Sequence, residues 1–209
     1  MHINKITRLL CVLAVLLLPA AAEVLNKGER DRAMSHLHAT RKAFLDGTAG
    51  LSETQWKFKP APGRWSVAEC AEHLTQSENF LRGMLQDRVK KATPDETKRE
   101  AGRAGRESED QKILASIADR TRKAQAPEPL QPLGKWKSRD DVVREFKSRR
   151  DATIRYIEIT EDDLRGRITE IRPGMEIDLY QLALMISAHT DRHIQQMKEV
   201  KADAAFPKK

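Results

Sequence analysis

The chain of 209 residues carries 38 Lys and Arg against 31 Asp and Glu, a formal charge of +7, with 33% charged and 39% hydrophobic residues. That length fits one domain; with 10 Gly, 9 Pro and only 5% aromatic residues the composition excludes collagen-like and Pro-rich disordered classes and favours helices over an all-β fold. Two cysteines cannot build a disulfide framework. Basic residues are interleaved with acids nearly everywhere, so no sustained phosphate-binding stripe appears, and nucleic acid is not an expected partner.

Residues 1–22 have the layout of a secretory signal peptide. Lys5 and Arg8 form a positive start, Leu9 to Leu18 is free of charge, and Ala20-Ala21-Ala22 offers small residues before Glu23. The run is short for a bilayer span, which needs ~20 apolar residues, so cleavage after Ala22 is expected in preference to an uncleaved anchor, with no stable membrane insertion afterwards. Cys11 does not stand where a lipoprotein signal would need it, and cleavage leaves Cys70 as the sole thiol. The expectation is a periplasmic or secreted protein whose residues 23–209 form a single domain.

The remaining chain reads as helices with short breaks. Met34, Leu37, Arg41, Phe44 and Leu45 recur at helical spacing, and Asp46-Gly47 is expected to end that helix. Pro60-Ala61-Pro62-Gly63 breaks the chain, and Ser66 with Glu69 three residues on forms a capping box. A second helix therefore starts at Val67 and keeps its apolar period through Cys70, Leu74, Leu81, Met84 and Leu85 to about Val89. Residues 90–111 are crowded with charge and are expected to be a mobile, solvated connection. A short helix follows at about Asp110 to Lys123, then a loop made extended by Pro127, Pro129 and Pro132. Ser138 and Asp141 cap a third long helix with Val142, Phe146, Ile154 and Ile157 on its inner face, ending near Thr160.

Pro173-Gly174 marks a turn before the last helix, Ile177 to Val200, on which Leu182, Ile186, His189, His193, Met197 and Val200 form one inward line. Four amphipathic helices without strand-like alternation predict an all-α fold, an antiparallel four-helix bundle with a short extra helix and long loops between helices 2 and 3. In such bundles metal and cofactor sites are built from side chains that project into the core. Imidazoles at i and i+4 share a helix face and can reach one cation. The spacing alone leaves open a structural, hydrogen-bonded pair. Thr190 follows His189 where a zinc protease needs Glu, which disfavours that chemistry.

Phe58-Lys59-Pro60-Ala61-Pro62-Gly63-Arg64-Trp65-Ser66-Val67-Ala68-Glu69-Cys70-Ala71-Glu72-His73-Leu74 and, far downstream, His189-Thr190-Asp191-Arg192-His193-Ile194-Gln195-Gln196 together resemble the DinB/YfiT-like superfamily. The resemblance spans nearly the whole mature chain. It implies a four-helix bundle with a metal-binding histidine triad, one from the second helix and two from the fourth, which here are His73, His189 and His193. The superfamily name refers to DNA-damage-inducible expression in some members and implies no DNA binding. His73 is also at helical spacing with Cys70, Phe80 and Met84 and one turn from Ser77, so it can face the core.

Other residues take plainer readings. Trp65 and Trp136 precede long helices and could wall a pocket mouth, but Trp more often anchors packing. Cys70 could be a fourth soft ligand; a buried small hydrophobe is the expectation. His36 and His38, two apart, cannot share a helix face. Glu69 is assigned to the cap, Glu72 to solvent, and Arg192 either to an anionic substrate or to water.

Three neutral imidazoles leave a divalent ion, Zn, Ni, Mn or Fe, with open positions. The resemblance therefore implies a metal-dependent hydrolase or transferase that activates water or a thiol on an unidentified small molecule. Export to an oxidising compartment favours water. The alternative is a non-catalytic metal-binding or stress-associated bundle. Pairing of two copies through an exposed helix face is left open.

Overall fold

Capping motifs set where the helices begin. In the computed structural model, which describes residues 25–97, 105–123 and 125–208, Asn26/Glu29, Ser52/Gln55, Ser66/Glu69 and Asp178/Gln181 each close a reciprocal capping box. They open α1 (Lys27–Thr48), α2 (Glu53–Lys57), α3 (Val67–Lys91) and the last helix, α6 (Leu179–Lys201). Between them lie α4 (Arg106–Ala118) and α5 (Arg139–Ile159), the latter capped by Ser138. Each box satisfies two backbone donors that a helix start otherwise leaves bare. The signal-peptide residues and Cys11 lie outside the described residues, as do residues 98–104 of the charged connection.

The four long helices form the bundle. Each of α1 and α3 packs against both α5 and α6, which places α1 diagonal to α3 and α5 diagonal to α6. Side-chain contacts give the directions. Tyr180 Oη donates to Glu29 O at 2.8 Å and Lys201 Nζ to Gly47 O, so α1 and α6 run parallel. Arg149 donates to Thr75 O at 2.9 Å near one end of the α3/α5 pair, and Leu85, Ile154 and Ile157 share a core cluster near the other. Those two helices are therefore also parallel. Phe44 stacks on Phe146, with ring centroids 3.7 Å apart, and Arg30 donates to Ile157 O, so α1 and α5 are antiparallel. Two helices thus run each way, in the chain order up, down, down, up. Parallel neighbours need a connection that returns the length of the bundle; the long stretch carrying α4 makes that return between α3 and α5, with α4 packed against α6.

Several expectations need correction. The helix does not stop at Gly47: α1 continues to Thr48, and Gly50, at φ 65°, follows its end. Gly47 is a helical residue facing Met197 and Ile194, which a Cβ there would meet at ordinary contact distances of 3.8 and 3.9 Å. The short helix lies earlier than expected, at Arg106–Ala118, and its Asp110 is fully buried rather than solvated. Before the last helix stands an unanticipated antiparallel hairpin, β1 (Ile168–Arg172) and β2 (Met175–Asp178), joined at Pro173-Gly174 with Gly174 at φ 76°. An isolated bridge from Pro94 to Arg167 ties the connection after α3 to its base. Phe80 points outward, 47% exposed, because α3 turns its Leu74, Ser77, Glu78, Leu81 face inward.

The apolar core is divided. One cluster gathers Leu37, Leu81, Leu85, Ile157, Leu182 and Ile186, the other Phe44, Trp56, Leu74, Phe146, Ile194 and Met197. Arg150, fully buried, sits amid four helices, donating to Glu78 at 2.9 and 2.7 Å, to Leu37 O at 3.1 Å, to Thr40 at 2.6 Å and to Thr190 at 2.7 Å. A charge without water must be paired and fully hydrogen-bonded, and every guanidinium nitrogen of Arg150 has such a partner. Thr190, one residue from His189, links this layer to the histidines.

Candidate metal centre

His73 enters from the first turns of α3, while His189 and His193 come from α6, which runs antiparallel to it. Their ring centroids lie 5.1, 4.5 and 4.7 Å apart in the pairs 73/189, 73/193 and 189/193, and one ligand atom from each falls within 4.8 Å of the others. The spacing read from the sequence and the triad implied by the resemblance thus converge on one place.

Hydrogen bonds fix which nitrogens face inward. His73 Nδ1 is 2.8 Å from the carbonyl of Leu130; a carbonyl only accepts, so Nδ1 carries the proton and Nε2 keeps its lone pair. His193 Nδ1 is 2.9 Å from Gln196 Oε1, and that oxygen also receives Arg120 Nη1 at 3.4 Å. Arginine only donates, so the Gln196 atom between them is the oxygen, and His193 Nδ1 must be protonated as well. Arg120 is itself held by Glu199 at 2.9 and 3.1 Å. His189 differs: its side chain keeps more contact with solvent than His73 or His193, although surrounding protein atoms still desolvate its ring, and its Nδ1 has no hydrogen-bond partner among the described residues.

His73 Nε2 and His189 Nε2 are 3.3 Å apart. Two nitrogens each ~2.0–2.1 Å from one ion at a tetrahedral angle would be separated by about 3.3–3.4 Å. Burial pushes all three imidazoles below their ordinary range. It takes His189 to about 3 with help from His73, Arg192 and Arg150, and His193 well below normal with help from His189 and His73. For His73 the Leu130 carbonyl partly opposes the effect of burial. Neutral imidazole is the form that ligates a metal, so donor type, protonation and spacing all fit a divalent ion.

The surrounding residues are sorted by the same geometry. Trp65 lies against the site, its ring 4.9 Å from His73 and 5.8 Å from His193. Trp136 lies apart, flanked by Lys135 and Arg149. Glu69 serves the cap and pairs with Lys59 at 2.8 Å. Glu72 is a correction: it is 6% exposed and accepts three backbone N–H groups, from Leu133, Gly134 and Lys135. Arg192 donates to the carbonyls of Asp119 and Arg122 and so ties down the segment after α4. Gln196 stood in the sequence block next to His193, and only its i+3 spacing signalled the contact it makes.

Cys70 is buried among Val67, Leu74 and Val200, its thiol pushed far up by burial, and it is outside the three-histidine group. Cys70→Ala is therefore expected to leave bound metal unchanged while lowering stability by about 1 kcal/mol. Metal analysis beside a urea titration checks this, and a parallel loss of metal would make the thiol a ligand.

Three comparisons bear on kinship. No curated protein matches the chain. YfiT from Bacillus subtilis, described as a probable metal-dependent hydrolase with an unusual four-helix bundle topology, superposes with a TM-score of 0.53 at 11% identity, covering 88% of this chain and 93% of that one. At that identity the likeness shows the fold alone. The DinB superfamily profile matches residues 36–197; a match of that extent, over a bundle that brings three histidines of two helices together, places the chain in the DinB superfamily.

Proposed function

We propose that His73, His189 and His193 hold a divalent transition metal, and that the protein is a metal-dependent hydrolase acting on a small molecule. One observation carries this reading: two of the three imidazoles have Nδ1 committed to a protein acceptor, which leaves Nε2 as their free ligand atom in a group whose ligand atoms lie within 4.8 Å of one another. A divalent ion held by three histidines supplies Lewis acidity and lowers the pKa of a bound water to ~7 in favourable zinc sites. The chain's own part is to keep the imidazoles neutral by burial, to fix their tautomers, and to border the site with Trp65. The description of YfiT as a probable metal-dependent hydrolase supports the choice of water over a thiol, as does the secretory signature of residues 1–22, which points to an oxidising compartment.

A second reading, a metal-binding bundle without turnover, is favoured by one feature. Among the described residues the triad hydrogen-bonds outside itself to a carbonyl, an amide and a hydroxyl, and Glu72, the nearest buried acid in sequence, is saturated by backbone donors. Among the described residues no carboxylate hydrogen-bonds to the histidines as a general base or acid would.

Purified protein is expected to hold one equivalent of divalent metal, with His73→Ala, His189→Ala and His193→Ala each losing it. Retention by all three variants would overturn the site. Metal-dependent turnover of esters or amides that vanishes in His189→Ala identifies a hydrolase, whereas stoichiometric metal with no turnover identifies the binding protein. Export is checked at the N-terminus of the mature form, which is expected to begin at Glu23.

A further inference from the structure

The buried acid next to the triad in sequence has a role that no proton transfer explains. Glu72 Oε1 accepts from Leu133 N at 2.9 Å and Lys135 N at 3.0 Å, and Oε2 accepts from Gly134 N at 3.1 Å. Gln76, one turn on, donates to Glu72 Oε1 at 3.3 Å and to Gln131 O at 3.2 Å. Two side chains of α3 thus clasp residues 131–135 from one side.

Leu130 is buried and two turn hydrogen bonds stabilise residues 127–131, but residues 132–135 beyond them have few other ties. Pro127, Pro129 and Pro132 have no N–H to offer, Leu133 is 80% exposed, and the only regular structure is the single 3₁₀ turn Glu128–Leu130. Yet the last residue of that turn, Leu130, supplies the carbonyl that His73 Nδ1 donates to. Glu72 and His73 are adjacent on α3, one gripping the loop and the other using it.

From this we propose that Glu72 is a positioning residue for the metal centre: it anchors the 130–135 loop so that the Leu130 carbonyl holds His73 in the tautomer with Nε2 free for a metal. The inference rests on the metal-site reading given above, but its first consequence, control of the His73 tautomer, holds with or without an ion. Three charge-assisted hydrogen bonds onto one carboxylate are among the stronger contacts available. Outer partners that orient a ligating histidine commonly contribute 10–100-fold to metal affinity. Glutamine replaces this residue poorly: with its oxygen in the place of Oε1 it keeps the Leu133 and Lys135 bonds, but its NH2 then meets the Gly134 N–H, donor against donor, and the charge is lost.

The test uses the whole protein with Glu72→Gln and Glu72→Ala, the former retaining size and helix propensity should the latter fail to fold. Imidazole nitrogen shifts of the metal-free protein report the His73 tautomer, titration with cobalt(II) reports affinity, and exchange of the Leu133 and Lys135 amides reports the loop. In the wild type, His73 is expected in the Nδ1–H form; in both variants the amides exchange faster, that tautomer loses its dominance, and cobalt binds 10–100-fold more weakly. A loosened loop with the His73 shifts and cobalt affinity unchanged would overturn the proposal, as would weaker binding with an unchanged tautomer. If the wild type takes up no cobalt, the metal-site reading fails, and the tautomer measurement alone then decides the role of Glu72.

Discussion

Arg165→Met is expected to lower the unfolding free energy by about 3–5 kcal/mol, the cost of leaving buried charges without their partner. The side chain is 2% exposed and is ringed by acids: Nε reaches Glu29 at 2.8 Å, Nη1 reaches Asp178 at 2.8 Å, and Asp110 takes Nη1 and Nη2 at 3.0 and 2.7 Å. Its guanidinium also lies 3.9 Å from the Tyr180 ring centre. Burial alone would lower the pKa of Arg165, but Asp110 and Asp178 outweigh it and hold the charge on. Each acid belongs to a different helix start or body. Glu29 closes the capping box of α1, Asp178 that of α6, and Asp110 lies in α4. Because α1 and α6 run parallel, their N-termini and capping acids lie side by side, and a single cation between them joins both to α4. Methionine fills the volume but leaves three carboxylates facing one another in a dry site. Against a typical total stability of ~5–15 kcal/mol, that is a large fraction. Urea unfolding of the variant is the measurement, with the exposed pair Lys42–Asp46 as a reference expected to contribute ~0.2–1 kcal/mol. A loss below about 1 kcal/mol for Arg165→Met would refute the assignment.

The same residues show what a single sequence reveals and what it hides. The α3 start was legible because Pro60, Pro62, Ser66 and Glu69 act locally, over one turn, and the structure places the helix start at Val67 as expected. His189 and His193 were legible because a 3.6-residue period puts them on a buried line, and Leu182, Ile186, Met197 and Val200 of that line are all within the core. The helix α2 was not read from the sequence: its Ser52/Gln55 box is of the same kind as Ser66/Glu69, but five residues are too few to show a period. Arg150 and Arg165 were hidden for a different reason. An arginine paired in the core and one in water have the same sequence, and the partners of Arg165 lie 136, 55 and 13 residues away. Periodicity also says which face of a helix is buried but not which helix covers it, so the up, down, down, up order was beyond reach. The hairpin escaped because its strands, Ile-Thr-Glu-Ile-Arg and Met-Glu-Ile-Asp, are short and charged; Pro173-Gly174 gave the turn without its flanks.

Acid is expected to weaken both the fold and its grip on metal through one shared cause. In the unfolded chain a histidine protonates near 6.5, whereas His189 in the bundle holds off its proton until about 3, mainly because burial disfavours the cation. Above pH 6.5 neither state binds that proton and stability is at its full value. Between 6.5 and 3 the unfolded state alone binds it, so stability falls as pH falls, and below 3 the loss is complete. At pH 5 this single group costs about 2 kcal/mol relative to pH 7.5 by linkage. His193 and His73, shifted in the same direction by burial, add to the slope over that window. Metal competes with the proton for the same lone pairs: at 100 times its dissociation constant a ligand adds about 2.7 kcal/mol, and that increment vanishes only where the imidazoles of the folded protein protonate, toward pH 3. Urea midpoints of the metal-free wild type should therefore drop between pH 7.5 and 5, and those of His189→Ala should drop by less. Zinc should raise the wild-type midpoint at pH 7.5 and still do so at pH 5, where the imidazoles of the folded protein are neutral, losing that effect only toward pH 3. A wild-type midpoint flat across this range would contradict neutral, buried imidazoles. A slope unchanged in His189→Ala would place the titrating groups outside the triad.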